Sequence, residues 1–280
     1  MDEKEIIQAL ERGAKKEMKS RVSGEALKRS LISAYGSKAG VEMRPKGFGF
    51  YFKFAAAAAV FAAFTAAMVF TIFDDMDDGD RFNKNGGIWS TYTDSHQGGD
   101  SAVWPPETNE KVLFAMSKPG YGETGWAVRV TGKAGANLGR GYNYFGLVAR
   151  FKEESACPQC RGTDISRYKG MVFRIKGDLK GGTLHLILPY ESSECITERT
   201  TCKSLTGYAD YYTDISDKAG QEWAAVMIDF RQDLQQPEWV PRSKRVDIDK
   251  VLKSVHLFKW QFSGADGEVM DLWIDDIQLY

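Results

Sequence analysis

Between Phe54 and Phe73 the chain reads FAAAAAVFAAFTAAMVFTIF, twenty residues without a charge in which threonine is the only polar type. As a helix rising 1.5 Å per residue this run spans about 30 Å, the thickness of a bilayer's hydrocarbon core. A core helix of a water-soluble protein keeps a polar stripe, and this run has none. A cleaved signal peptide is the rival reading. Its apolar segment is typically about 7–15 residues, and here some fifty residues precede the run. The expectation is an uncleaved transmembrane helix over 54–73. Lys28, Arg29, Lys38, Arg44, Lys46 and Lys53 precede it and a series of aspartates follows. Basic residues stay on the cytoplasmic side, which puts residues 1–53 inside and 74–280 outside. Ala55, Ala59, Ala63 and Ala67 recur every fourth residue. That smooth face suits close helix pairing, so a homodimer through the span is a further expectation.

The rest of the composition agrees with this division. The 280 residues carry a net charge of −1, which argues against a nucleic-acid partner. All four cysteines, Cys157, Cys160, Cys195 and Cys202, follow the span. An even number on an oxidising side suggests disulfides, in any of three pairings. A four-thiolate zinc site is the alternative. CPQC has the right spacing for it, but Cys195 and Cys202 do not. No Asn-x-Ser/Thr sequon occurs, which fits a bacterial cytoplasmic membrane.

Residues 1–53 read as short helices and a basic linker, with Ile6, Ile7, Leu10, Ala14 and Met18 at helical spacing. After residue 73 the period changes. WAVRVTG, YFGLVARF, GMVFRIKG, GTLHLILP, EWAAVMIDF, VHLFKWQF and DLWIDDIQLY alternate in period two between glycine-rich turns. Many short strands without an intervening helical period imply a mainly-β domain, a β-sandwich or jelly roll, over 74–280.

No local pattern for a hydrolase, metalloprotease or phosphate-binding loop appears, and the only histidines are His96, His185 and His256. A carboxylate pair for glycoside cleavage needs only two acids, yet none stands out beyond two clusters. DDMDDG opens the domain and WIDDI nearly closes it. First and last strands commonly lie together, so Asp75, Asp77 and Asp276 would repel one another unless a cation bridged them. Ca²⁺ takes six to eight oxygen ligands, and a structural calcium on these three aspartates is the expectation. A solvated acidic flank is the alternative.

The stretch DDMDDGDRFNKNGGIWSTYTD resembles the opening of family 11 carbohydrate-binding modules and of the related complex I intermediate-associated proteins. Further matches follow in order: YNYFGLVARF, DISRYKGMVFRIKGD, EWAAVMIDF, VDIDKVLKSVHLFKWQF and DLWIDDIQLY. Met76 and Asp77 stand where Phe and Glu are usual. The insert around CPQC and the cysteines near Cys195 depart from the pattern, and residues 1–73 lie outside it. The resemblance implies a galactose-binding-like jelly roll in 74–280, with Trp89, Trp126, Trp223 and Trp273 in packing positions.

A sugar offers apolar C–H faces and a ring of hydroxyls, so its site wants aromatic platforms beside hydrogen-bonding side chains in a cleft. Strand alternation sets Tyr144 opposite Phe145, Leu147 and Phe151, and sets Arg174 opposite Met171, Phe173 and Ile175. His185 follows by the same alternation. Tyr190, Tyr211 and Tyr212 lie near in sequence. These six form the expected carbohydrate site. The expectation is a membrane-anchored, non-catalytic glycan-binding protein of the cell envelope. An extracytoplasmic structural or assembly protein is the alternative, as is an anti-sigma-like sensor that binds protein through the jelly roll or through residues 1–53.

Overall fold

The computed structural model describes residues 70–107, 113–136, 143–152, 162–196 and 201–280, with the backbone alone for 194–196 and 201. The helical segment 1–53, most of the apolar run, the alanine face and Cys157 and Cys160 therefore lie outside the described residues. Among the described residues no helix is long and apolar enough to cross a membrane.

Among the described residues thirteen strands follow in order: β1 (Thr71–Asp74), β2 (Trp89–Thr93), β3 (Ala102–Trp104), β4 (Val128–Lys133), β5 (Asn143–Arg150), β6 (Gly170–Lys180), β7 (Thr183–Leu188), β8 (Glu191–Ile196), β9 (Thr201–Ser204), β10 (Tyr211–Asp214), β11 (Ala224–Asp229), β12 (Leu257–Gly264) and β13 (Val269–Leu279). A single turn of α-helix, α1 (Ile248–Leu252), is capped by Asp247, whose carboxylate accepts from Asp249 N. All seven strands expected from the alternating segments are present. The expectation of a mainly-β sandwich holds.

The first sheet runs β11-β6-β13-β4-β3, with β1 also paired to β13. The second runs β10-β7-β12-β5-β2, and β8 and β9 form a separate hairpin. Pairing is antiparallel throughout. Neighbours in a sheet are seldom neighbours in sequence, so the chain crosses repeatedly between layers, as a jelly roll requires. The layers meet through their inward-facing residues. Phe145, Leu147, Phe258, Trp260, Phe262 and Leu186 come from the second sheet; Phe173, Ile175, Leu272 and Ile274 come from the first. Trp260 bridges the two, tilted beside Trp89 at 5.7 Å and edge-on to Phe173 at 5.8 Å. Each such side chain contributes roughly 1.5–3 kcal/mol by leaving water.

One boundary moves. Thr71, Ile72 and Phe73 belong to β1, with Thr71 opposite Leu279 and Ile72 opposite Gln278. Phe73 is fully buried against Phe151 and Phe258. The β-domain begins at Phe70, and the chain divides after Val69. The apolar run cannot be helical to Phe73, because its last residues are claimed by the sandwich. The other sixteen residues of the run, 54–69, lie outside the described residues.

Candidate functional site

The outward residues of the second sheet make the candidate site. Cross-strand register lines them up in rows. One row runs Tyr92, Gly146, Gln261, His185, Asp214 across all five strands. The next runs Ser90, Val148, Lys259, Ile187, Tyr212. Tyr144 stands outward beyond the first row, opposite Ser263.

Gly146 shapes this surface. It sits in the middle of the central strand, and a Cβ there would come within 2.0 Å of the Trp260 carbonyl and 3.0 Å of the Tyr92 hydroxyl. The missing side chain makes room for the Tyr92 hydroxyl, which donates to Gln261 Oε1 at 3.2 Å. The Gln261 amide then donates to Ser263 Oγ. Tyr92 and Tyr144 stand 6.1 Å apart, and the Tyr144 hydroxyl lies 3.5 Å from His96 Nε2. Lys259 Nζ lies over both tyrosines, 4.5 Å from the Tyr92 ring and 5.8 Å from the Tyr144 ring. At the far edge His185 and Tyr212 pack at 5.0 Å.

Burial tunes the charges here. It pushes the Tyr92 hydroxyl well above the ordinary tyrosine range, and it lowers Lys259 against the opposing pull of Asp210 and Glu191. The Glu191 carboxyl is raised to about 7, mainly by burial and partly offset by Arg150. His185 is lowered by burial. At Asp214 burial is outweighed by two bonds from Ser216 and by His185, so that carboxylate stays below its usual value. The surface thus combines flat rings, a lysine, an amide, an imidazole and a carboxylate. Such a set can stack on an apolar face and exchange hydrogen bonds with hydroxyls.

Of the six residues expected to bind sugar, Tyr144, His185 and Tyr212 share this surface. Three do not. Arg174 is on β6, in the first sheet, and faces away on the other side of the sandwich. It is buried there over the Tyr121 ring at 4.3 Å. Tyr211 is opposite Leu188, so it turns toward the core, and its hydroxyl donates to the Val246 carbonyl. Tyr190 is buried in the core cluster. Tyr92, Lys259 and Gln261 were missed. The alternation in STYTD and VHLFKWQF marks all three as outward, but only the tertiary pairing sets them beside Tyr144. Trp89 packs in the core as expected. Trp126, Trp223 and Trp273 are half-buried, and Trp223 and Trp273 border the first sheet's outer face.

The two acidic ends do approach each other, since β1 pairs with β13. Asp74 is wholly buried, accepts from Trp89 Nε1 at 2.7 Å and is raised to about 6 by burial. Lys84 Nζ lies 2.9 Å from Asp75 and 3.3 Å from Asp78. Asp275 accepts from Tyr121 N and is raised to about 7, chiefly by burial. Asp276, at a bulge in β13 with φ of +50°, is raised by burial, offset by Arg174, and raised further by Asp77 and Asp75. Asp75, Asp77 and Asp276 thus feel one another's field. They do not form a group with donor atoms all within 4.8 Å; among the described residues Glu191, Cys202 and His256 do. Gly79 closes the acidic turn at φ +73°, where any Cβ would strike the Trp126 ring at 2.6 Å. In the hairpin, Cys195 lies directly opposite Cys202.

No family model matches the chain, and no curated protein matches it. Among solved structures the chain is similar to the family 11 carbohydrate-binding module of the cellulosomal cellulase Lic26A-Cel5E of Clostridium thermocellum. The identity is 16%, the TM-score 0.43, and 76% of this chain and 95% of that chain are covered. A family 11 module from Clostridium thermocellum in complex with a β-1,3-1,4-mixed-linked tetrasaccharide gives 15% identity and a TM-score of 0.42, covering 76% and 96%. A family 30 carbohydrate-binding module gives 18% and 0.36, covering 65% and 91%. Likeness at this level does not establish a shared ligand.

Proposed function

We propose that this chain is a non-catalytic glycan-binding protein whose sugar site is the outer face of the five-stranded sheet. The observation that carries the reading is the row of Tyr92, Gln261, His185 and Asp214 across the sheet, with Tyr144, Lys259 and Tyr212 beside it. Two rings set 6.1 Å apart suit the apolar faces of a sugar chain, and the amide and imidazole suit its hydroxyls. The experiment is calorimetric titration of the full chain against a panel of soluble polysaccharides, with Tyr92→Ala and Tyr144→Ala beside it. Binding by the parent chain that both variants weaken supports the site. A folded parent that binds no polysaccharide removes the reading.

A second reading, docking of a protein partner, draws on the solvent exposure of Trp104, Tyr208 and Trp239, at 63%, 76% and 71%. A complex disrupted by Trp239→Ala, with glycan binding unchanged, would favour this reading.

Three further features belong to the proposal. Residues before Phe70 anchor the domain to a membrane with the domain extracytoplasmic. The uncharged sequence 54–69 and its basic flank support this, and digestion of the domain by protease added to spheroplasts tests it. Cys195 and Cys202 are joined as a disulfide. Their opposed register supports it, as does the absence of a free cysteine among those described, and mass spectrometry of unreduced peptides decides it. Calcium binds at Asp75, Asp77 and Asp276, where the half-buried Asp276 carboxyl is raised mainly by burial and further by the charges of Asp77 and Asp75. An unchanged melting temperature on adding chelator would remove the calcium.

A further inference from the structure

Under the β8–β9 hairpin, three side chains from distant parts of the chain converge. Glu191 opens β8, Cys202 lies in β9, and His256 directly precedes β12. Their ligand atoms, one per residue, all lie within 4.8 Å of one another. His256 and Cys202 are buried, with exposures of 2% and 8%, while Glu191 is half-buried and borders solvent. His256 Nδ1 stands 3.8 Å from Glu191 Oε2. That is beyond a direct hydrogen bond, but close to the spacing of two ligands around one ion. Tetrahedral zinc, with bonds of roughly 2.0–2.3 Å, sets its ligands about 3.3–3.6 Å apart. The other ring nitrogen, Nε2, lies 3.4 Å from Ser254 Oγ. Metal-bound histidines carry such a partner, which fixes the ring and leaves one nitrogen facing the ion. Gly162 backs the same ring: a Cβ there would lie 3.0 Å from Nε2 and 2.2 Å from Ser254 Oγ.

We propose that, when Cys202 is a thiol, Cys202 Sγ, His256 Nδ1 and a Glu191 oxygen bind one zinc ion or another divalent cation of similar softness. Three protein ligands leave a fourth position on the side where Glu191 meets solvent, as in zinc sites that keep an open position. In the oxidised chain, where Cys202 is joined to Cys195, the sulfur is withheld from the metal. A dithiol reductant supplies two electrons and two protons, the S–S bond breaks, and two thiols form. Zinc then displaces the Cys202 proton as the S–Zn bond forms, and that proton passes to solvent. The bound ion ties the hairpin to the sheet beside Arg150 and Lys259, the cationic neighbours of Glu191. The inference is independent of the glycan reading.

The test uses the full chain with Cys157→Ser and Cys160→Ser, which removes the other thiols. Zinc is titrated against a chromogenic chelator with and without dithiol reductant, and cobalt replaces zinc to reveal the sulfur-to-metal absorption band. The reduced chain is expected to take up one ion with that band, and the oxidised chain none. Cys202→Ser should abolish the band. Glu191→Gln, which keeps the side chain's size while removing its charge, should weaken uptake roughly tenfold or more. Absence of uptake by the reduced, folded chain overturns the site. Uptake that survives both Cys202→Ser and Glu191→Gln overturns the ligand set, and equal uptake by the oxidised chain overturns the redox control.

Discussion

The two outer faces of the sandwich are built from the same kinds of residue and arrive at different states. On the first sheet, Arg129, Trp273, Lys176 and Trp223 stand in line across the strands. Arg129 covers Trp273 at 4.7 Å while holding Asp271 through two bonds of 3.0 and 2.7 Å. Lys176 lies between the two tryptophans, 4.8 Å from Trp273 and 5.0 Å from Trp223. Arg174 covers Tyr121, and Tyr121 meets Trp223 edge-on. Each ring has a cation of its own and each arginine an acid close by, so this face is satisfied internally. On the second sheet Gly146 interrupts the pattern. The Tyr92 hydroxyl packs over this glycine and Lys259 covers both tyrosines, with Gln261, His185 and Asp214 in one row across the strands. The faces differ in their polar partners: tryptophans held by arginine and lysine on the first, tyrosines beside an amide and an imidazole on the second.

The sharpest way to break this comparison is to remove a ring from each face. Tyr92→Ala and Tyr144→Ala should each weaken glycan binding by about 10- to 100-fold, or roughly 1.4–2.7 kcal/mol, measured at a temperature where both variants are folded, since losing either largely buried ring also lowers the melting temperature. Equal affinity in both variants would move the site elsewhere. Trp273→Ala should do the converse, lowering stability by about 1–2 kcal/mol in denaturant unfolding through lost packing and cation–π contacts, with glycan affinity unchanged. A loss of affinity there would mean that the first face binds too.

A pH series sharpens the same contrast through buried carboxyls. Asp74, Glu191 and Asp275 sit at about 6, 7 and 7 in the folded chain, above their ordinary values of 3.8, 4.5 and 3.8. The folded state therefore holds these protons longer than the unfolded one. The stability they contribute is complete below the ordinary values and is lost as pH rises through about 7. His185, lowered by burial, acts in the other direction but is a single group. Without added metal, melting temperature should fall between pH 5 and pH 8 by on the order of 5 °C, and Glu191→Gln should flatten the slope. A melt that rises over that range would contradict the burial of these carboxyls. The smallest effect belongs to Arg174→Ala, which should leave glycan affinity unchanged because Arg174 lies on the far side of the sandwich. Its cost should appear in stability, through Asp276 and Tyr121.

Much of the fold is legible in the chain. The alternation in YFGLVARF or VHLFKWQF assigns each residue inward or outward, because successive side chains of a strand point to opposite faces. The closeness of the two acidic ends also follows from the strand pattern. The hairpin β8–β9 and the edge strands β3 and β10 are less visible, being short and weakly apolar. Phe70–Phe73 misleads for a physical reason: an apolar edge strand that buries only part of its length and the end of an apolar helix have the same composition, and only pairing with β13 separates them.

What the sequence by itself determined is local. It set the period, the inward side of each strand and the residues that cannot face water, since these depend on neighbours one or two positions away. What tertiary structure alone decided is which strands share a sheet. Arg174 alternates just as Tyr144 does, yet β6 hydrogen-bonds to β13 and β11 while β5 bonds to β12 and β2. Two side chains with the same local pattern therefore end on opposite sides of the molecule. Strand pairing is a contest among distant segments for backbone hydrogen bonds and shared apolar area, and no short window of sequence contains its outcome.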